Sequence, residues 1–168
     1  MADKALYILA GYDQKTDAHL SGIQARLYAQ GFTGTHTKGI PQHITLGSYP
    51  VDKEAELIAF LHQLSTATGS IDVTFNHVGI FAGSRVLFIA PDVSHNLLSL
   101  KENFGDSLEW TPHTTMLIDE PATIFRALPV AMDAFASFSG KVTSLHLYEF
   151  WPTRHILTVE LAQTDESI

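Results

Sequence analysis

The sequence contains no cysteine and few basic residues. The absence of cysteine excludes disulfide bonds, thiolate nucleophiles and cysteine-ligated zinc. Ten lysines and arginines stand against eighteen aspartates and glutamates, which gives a formal net charge of −8. Proteins that follow a long nucleic acid neutralise many phosphates with basic side chains. We therefore expect no long nucleic-acid tract as a partner, and any RNA substrate should be a short fragment or an end.

Long apolar runs are also missing. No stretch approaches the length of about eighteen apolar residues that indicates a transmembrane helix. The opening residues, Met1 to Lys4, lack the basic and apolar regions of a signal peptide. We expect a monomeric cytoplasmic protein without a membrane partner. By length, residues 1–168 are predicted to form a single domain with a substantial core.

A short pattern occurs twice and carries the strongest functional signal. Each copy joins a turn that contains proline to a histidine, a spacer, a threonine and an apolar residue. The copies are Pro41-Gln42-His43-Ile44-Thr45-Leu46 and Thr111-Pro112-His113-Thr114-Thr115-Met116. Alternate residues of a strand share a face. If both copies are strands, each His projects beside its Thr, while Ile44, Leu46, Thr114 and Met116 enter the core.

The order strand, helix, motif strand, helix, strand is predicted twice. The first unit has a strand at 5–10, a motif strand that Tyr49-Pro50 ends, and a strand at 71–81, with helices at 16–30 and from an Asp52 cap to Gly69. The second has strands at 85–90, 111–118 and 141–150, a helix from an Asp92 cap to 104, and a helix from Pro121 that Pro129 should kink or end early. A strand at 155–161 and a polar tail at 163–168 follow.

Sequence identities at a nearly constant offset indicate an internal duplication. The motif histidines are 70 residues apart, and five identities recur at an offset of 69. These are Val73, Thr74, His77, Phe81 and Arg85, which match Val142, Thr143, His146, Phe150 and Arg154. We predict two lobes about a pseudo-two-fold axis, approximately 1–81 plus closing strands and 85–162. The two His/Thr pairs would then face one cleft.

Two imidazoles across a cleft suit general acid–base catalysis. With an ordinary pKa of about 6.5, one can be neutral while the other is protonated. The neutral ring can take a proton from water, and the charged ring can give one to a leaving oxygen. Each threonine hydroxyl can donate to a phosphoryl oxygen where negative charge accumulates. We expect no cofactor and no metal, because the first motif has no acidic neighbour to complete a ligand set.

Paired His-x-Thr motifs on the strands of a duplicated unit resemble the two-histidine (2H) phosphoesterase superfamily. The bacterial 2′-5′ RNA ligase-like proteins and RNA cyclic phosphodiesterases are the most similar members. The resemblance implies an α+β fold with antiparallel sheets lining a groove, and metal-independent hydrolysis of a 2′,3′-cyclic phosphodiester on a nucleotide or RNA end. It implies His43, Thr45, His113 and Thr115 as catalytic residues. Many members use the first histidine as acid and the second as base, but the symmetry of the motifs leaves these roles open.

Several other residues are weaker candidates. Arg85 and Arg154 begin equivalent strands and could contact a phosphate, and Phe81 and Phe150 could stack on a base. His77 and His146 lack a serine or threonine two residues later, so a structural role is favoured for both. Two alternative functions remain open. One is a non-catalytic nucleotide- or phosphate-binding module of the same fold, and the other is 2′-5′ RNA ligase-type phosphoryl transfer.

Overall fold

The structure is a computed structural model that describes residues 3–164; the last four residues of the predicted polar tail lie outside the described residues. The described chain forms seven strands and four α-helices. The strands are β1 (Ala5–Tyr12), β2 (His43–Pro50), β3 (Ile71–Phe81), β4 (Val86–Pro91), β5 (Thr114–Ile118), β6 (Phe138–Phe150) and β7 (Arg154–Glu160). The helices are α1 (Gln14–Ala29), α2 (Glu54–Ala67), α3 (His95–Glu102) and α4 (Pro121–Ala134). No helix among residues 3–164 is long and apolar enough to cross a membrane.

The strands form one antiparallel sheet, which confirms the predicted α+β class. Their order is β2-β1-β6-β3-β4-β5, and β7 pairs with β6. If β1, β2 and β3 are exchanged with β4, β5 and β6, respectively, the same order is obtained when it is read from the other end. It is the order expected of a duplicated unit. The pseudo-two-fold axis and the division into two lobes stay predictions.

Strands β3 and β6 interleave the two halves of the chain. The first part of β3, Ile71–Phe75, pairs with Phe138–Val142 of β6. The second part of β6 then pairs with β1, and the second part of β3 pairs with β4. Motif strand β2 is therefore the outer strand of the group β2-β1-β6, and motif strand β5 is the outer strand of the group β3-β4-β5. In each group one strand, β6 or β3, comes from the other half of the sequence. Segments 1–81 and 85–162 contribute to each other's half of the sheet.

One buried cluster spans both halves of the sheet and the helices. Leu20 and Leu27 of α1 are fully buried in it, as the predicted apolar stripe requires. The four predicted core residues of the motif strands are buried as well: Ile44, Leu46, Thr114 and Met116 are between 0% and 1% exposed. The alternation of faces along both motif strands is therefore confirmed.

Two predicted helix caps, Asp52 and Asp92, are wrong. Asp52 lies inside a short 3₁₀ turn before α2 and makes no cap hydrogen bond. Asp92 accepts a hydrogen bond from the Asn76 amide at 2.6 Å, a contact between chain segments that local sequence does not reveal. Helix α3 instead begins after Ser94, whose hydroxyl accepts from the Leu97 backbone N–H at 3.2 Å.

Pro129 does not end helix α4, which continues to Ala134. Proline cannot donate the helical hydrogen bond to the residue four positions earlier. Here that residue is Phe125, which is 78% exposed, so the unpaired carbonyl is on the solvent side of the helix. Ile124 and Ala131 are buried on the opposite side, and their packing holds the helix together across the proline.

A buried hydrogen bond crosses the core between two strands that are not neighbours in the sheet. The Tyr12 phenol on β1 and the Thr114 hydroxyl on β5 are 2.7 Å apart. Thr114 is 1% exposed and Tyr12 is 8% exposed. Burial raises the pKa of Tyr12 well above its usual range, while the hydrogen bond to Thr114 partly opposes that rise. This pair ties the second motif strand to the opposite half of the sheet.

We expect Thr114→Val to lower the free energy of unfolding by about 1–3 kcal/mol, because the buried Tyr12 hydroxyl would lose its partner. The double variant Tyr12→Phe/Thr114→Val removes both polar groups, so its cost should be smaller than the sum of the two single costs. Urea unfolding of the three variants measures this coupling. Strictly additive costs would show that the hydrogen bond does not link the two strands energetically.

Candidate active site

The two motifs meet because the outermost strands of the sheet, β2 and β5, contact each other. They stand at opposite ends of the strand order, so the sheet must curve strongly to bring them together. The indole N–H of Trp110, just before the second motif, donates to the Thr45 carbonyl of the first at 3.4 Å. Sequence analysis missed Trp110, because its contact joins residues 65 positions apart.

Both motif histidines are oriented by the same local hydrogen bond. The Nδ1 atom of His43 is 2.7 Å from the Pro41 carbonyl oxygen, and Nδ1 of His113 is 2.9 Å from the Thr111 carbonyl oxygen. A carbonyl oxygen only accepts, so Nδ1 carries the hydrogen in both rings. The Nε2 atom of each ring therefore remains available to take or give a proton. The turn before each histidine fixes its tautomer as well as its position.

The environment of the site disfavours the protonated form of both motif imidazoles. Burial lowers the pKa of both His43 and His113, and the hydrogen bonds to Pro41 and Thr111 partly oppose this effect. The charge of His113 lowers the pKa of His43 further, whereas the carboxylate of Asp17 acts in the opposite direction. The site therefore favours a state in which the two rings share at most one proton.

Helix α1 anchors the turn that presents His43. One carboxylate oxygen of Asp17 accepts from the Gln42 backbone N–H at 2.9 Å, and the other accepts from the Ser21 hydroxyl at 3.3 Å. The Gln42 amide nitrogen donates to the side-chain oxygen of Gln24 at 2.9 Å. Asp17 thus positions the first motif and also favours the imidazolium form of His43. No local sequence signal identifies it, because the partner residues are 25 positions apart.

The surroundings of the two histidines differ although the motifs match. His113 packs against Phe81 and Phe88, with ring centroids 4.7 and 5.4 Å away. His43 lies opposite Gly11 of β1, and the His146 ring occupies the space that a Cβ on Gly11 would need. Burial, followed by the charges of His155 and His43, lowers the pKa of His146 to about 4. A neutral imidazole therefore accompanies His43, whereas His113 has aromatic neighbours.

The sheet register corrects the predicted equivalence of His77 and His146. On β1, Leu9 pairs with Thr45 on one side and His146 on the other. In the other half, Phe88 pairs with Thr115 and Gly79. The structural counterpart of His146 is therefore Gly79. The strand pairing therefore matches β3 to β6 at an offset of 67, and the offset of 69 is wrong by two residues here.

A cavity of about 430 Å³ opens beside the first motif. Its lining includes three of the predicted catalytic residues and three residues of the surrounding wall: His43, Thr45, Thr115, Tyr28, Lys38 and Trp151. The Trp151 indole donates to the Thr37 hydroxyl at 2.8 Å, which links the turn after β6 to the α1–β2 loop (residues 30–42). The lining does not include His113.

The remaining predicted residues lie in different places. Phe150 lines the cavity, whereas Phe81 does not and packs against His113. Arg85 pairs with Glu120 at 2.8 Å, and Arg154 pairs with Glu54 at 2.6 Å. Neither arginine lines the cavity, so the structure does not bring them to the motifs. Among residues 3–164, no three His, Asp or Glu side chains are grouped so that they could hold a metal ion.

Comparison with known proteins agrees with this architecture. The model of one protein family, the 2′-5′ RNA ligase superfamily, matches residues 13–150. The fold is similar to that of Escherichia coli LigT complexed with ATP, with 18% identity, a TM-score of 0.61, and coverage of 95% of this chain and 98% of LigT. It is also similar to a Thermus thermophilus protein, with 15% identity, a TM-score of 0.57, and coverage of 95% and 98%. No curated protein sequence matches the chain.

We expect NMR titration to give pKa values below 6.5 for His43 and His113, with hydrogen on Nδ1 in the neutral form of each ring. His113→Ala should raise the pKa of His43, because it removes a like charge and opens the site to water. His77→Ala is the matched control and should leave that pKa unchanged. An unchanged His43 pKa in His113→Ala would place the two rings too far apart to act on one phosphate.

Proposed function

The chain belongs to the 2′-5′ RNA ligase superfamily, a family of two-histidine phosphoesterases, and from this we propose that it hydrolyses a 2′,3′-cyclic phosphodiester on a nucleotide or a short RNA end. The resemblance noted in the sequence is thereby confirmed at the level of the family. The specific reaction and the roles of the residues are our proposal.

The observation that carries the proposal is the matched state of the two histidines. Both rings hold their Nδ1 hydrogen on a backbone carbonyl and keep Nε2 available, and each histidine lies two residues before a threonine. One of two such rings can accept a proton from water, and the other can donate a proton to the leaving oxygen. Two hydroxyls can hold the non-bridging oxygens of a phosphate placed between them.

The reaction follows from these groups. The neutral imidazole takes a proton from water, and the water oxygen bonds to phosphorus. The bond from phosphorus to one ribose oxygen breaks, and the imidazolium gives its proton to that oxygen. One cyclic diester and one water thus become one phosphomonoester with a free hydroxyl. We assign His43 as the acid and His113 as the base, the order that the resemblance to many members of the family implies. The Asp17 carboxylate acts in this direction, with a smaller effect on the pKa of His43 than burial or the charge of His113. Thr45 and Thr115 stabilise the charge on the phosphoryl oxygens.

The size and charge of the protein support a small substrate. The cavity of about 430 Å³ falls in the usual range for small-molecule sites. The net charge of −8 disfavours a long polyanion. LigT, which shares the fold, has been crystallised with ATP and with 3′-AMP. A 3′-nucleotide is one of the two products that opening a 2′,3′-cyclic phosphate can give.

We expect turnover of at least one 2′,3′-cyclic mononucleotide or cyclic-phosphate-ended oligonucleotide in the presence of EDTA. His43→Ala and His113→Ala should each lower kcat by about 10²–10⁴-fold, because each removes one proton-transfer group. His62→Ala, an exposed position on α2, is the control and should retain full activity. Full turnover in both motif variants, or loss of activity in EDTA, would contradict the mechanism. Nucleotide binding without turnover of any substrate would instead indicate a binding module.

The pH dependence follows from the direction of the pKa shifts. Both motif histidines have pKa values below 6.5 in the free protein, and the active state needs one ring protonated and one neutral. We therefore expect a bell-shaped profile of kcat/KM with its maximum below pH 6.5. A bound phosphate anion favours imidazolium, so the maximum of kcat should lie at higher pH. A maximum of kcat/KM above about pH 8 would exclude these two groups as the acid and the base.

A further inference from the structure

Positive charge is scarce at the cavity. Among the described residues that line it, Lys38 is the one lysine or arginine. His36, which lines the same cavity, does not add a charge at neutral pH, because burial and then the Lys38 ammonium lower its pKa to about 4. Apart from a protonated motif histidine, Lys38 is therefore the cation that a ligand in the cavity can meet.

The ammonium of Lys38 is held in place but is not neutralised. Its Nζ donates to the Gly34 carbonyl at 3.2 Å and to the His36 carbonyl at 3.4 Å, and it lies 5.9 Å from the centre of the Tyr28 ring. No carboxylate among residues 3–164 forms a salt bridge with it. An ammonium has three N–H donors. The third donor and the full charge of Lys38 remain available to a ligand.

The loop that carries Lys38 is fixed on both sides of the residue. At Gly34, φ is +63°, and a Cβ would lie 2.6 Å from Leu117 Cδ1 and 2.7 Å from the Ile118 carbonyl oxygen. The Thr35 N–H donates to the same Ile118 oxygen at 2.8 Å. On the C-terminal side of Lys38, His43 follows five residues later in the chain. The cation and the first motif are thus set relative to each other before a ligand arrives.

From this arrangement we propose that Lys38 binds a second phosphate group of the substrate, on the 5′ side of the nucleotide whose cyclic phosphate meets the two motifs. The inference rests on the proposed function, because it takes the cyclic phosphate to be held by Thr45 and Thr115. Lysine is a common phosphate ligand and acts as a point charge. The second phosphate has two possible sources: a terminal 5′-phosphate of a mononucleotide, or the 5′-phosphodiester of an RNA end.

The test compares three substrates that share one base. These are adenosine 2′,3′-cyclic phosphate, its 5′-phosphorylated form, and a dinucleotide that ends in the same cyclic phosphate. Lys38→Met keeps most of the length of the side chain and removes its charge. We expect it to raise KM by about 10- to 100-fold for the substrates with a second phosphate, as for loss of a charge-assisted hydrogen bond. The first substrate should change less than about twofold, since Lys38 would not touch it.

The pattern of losses identifies the source of the second phosphate. A loss with the dinucleotide alone supports the proposal with an RNA end as ligand, and a loss with the 5′-phosphorylated mononucleotide alone supports it with a terminal phosphate. Equal losses with both support a site that takes either. Equal losses with all three substrates, or no loss with any, would overturn the proposal. Lys53→Met, at an exposed lysine paired with Glu56, is the matched control and should behave as the wild type. Thermal unfolding checks that Lys38→Met is folded.

A binding measurement separates this proposal from the proposed function. Calorimetry with 3′-AMP and with adenosine 3′,5′-bisphosphate needs no turnover. The wild type should bind the bisphosphate more tightly, and Lys38→Met should lose that preference. If no cyclic phosphate is hydrolysed but the preference is present and depends on Lys38, the proposed reaction fails and the second phosphate site stands. If the preference is absent, the Lys38 proposal fails, whatever the enzyme hydrolyses.

Discussion

The contact between β2 and β5 is the constraint on which the site depends. These strands have no shared ladder, because they stand at opposite ends of the sheet. The curvature of the sheet brings the two edge strands near each other, and three contacts hold them there. These are the Trp110 hydrogen bond to Thr45, the buried Tyr12–Thr114 pair, and the shared apolar core beneath both strands. Backbone and hydroxyl groups at these points are satisfied by each other, so separation of the strands would leave buried polar groups without partners.

Within this frame, two matching motifs occupy unlike surroundings. The carbonyl hydrogen bonds make the two imidazoles alike in tautomer and orientation. Their neighbours make them different: His43 has the Asp17 carboxylate and the neutral His146 ring near it, whereas His113 packs against two phenylalanine rings. A duplicated scaffold can supply two equal proton-transfer groups, and unequal neighbours can then separate an acid from a base. One charged residue near one of the two histidines is enough to make their pKa values differ.

Local patterns predicted well wherever a local force decides the structure. The period of two along each motif strand predicted which residues are buried, because burial of alternate apolar side chains is what holds a strand on a core. The helix caps were predicted poorly, since the Asp92 carboxylate accepts a hydrogen bond from Asn76 and Ser94 caps the helix instead. Pro129 illustrates the same limit: the packing of α4 outweighs a local helix-breaking signal. The five sequence identities indicated an offset of 69 between β3 and β6, whereas the strand pairing gives 67, so His77 was wrongly matched to His146.

The sequence by itself determined the two His-x-Thr couples, the duplicated order of elements, the core faces of the motif strands and the family, because each of these depends on residue type and spacing within one short segment. Tertiary structure alone decided which residues surround those couples. Asp17, Trp110 and His146 reach the motifs from distant segments, Lys38 is placed at the cavity by a folded loop, and Arg85 and Arg154 are paired with carboxylates away from it. Such contacts depend on how the sheet curves and how its strands register, and no single stretch of chain encodes either.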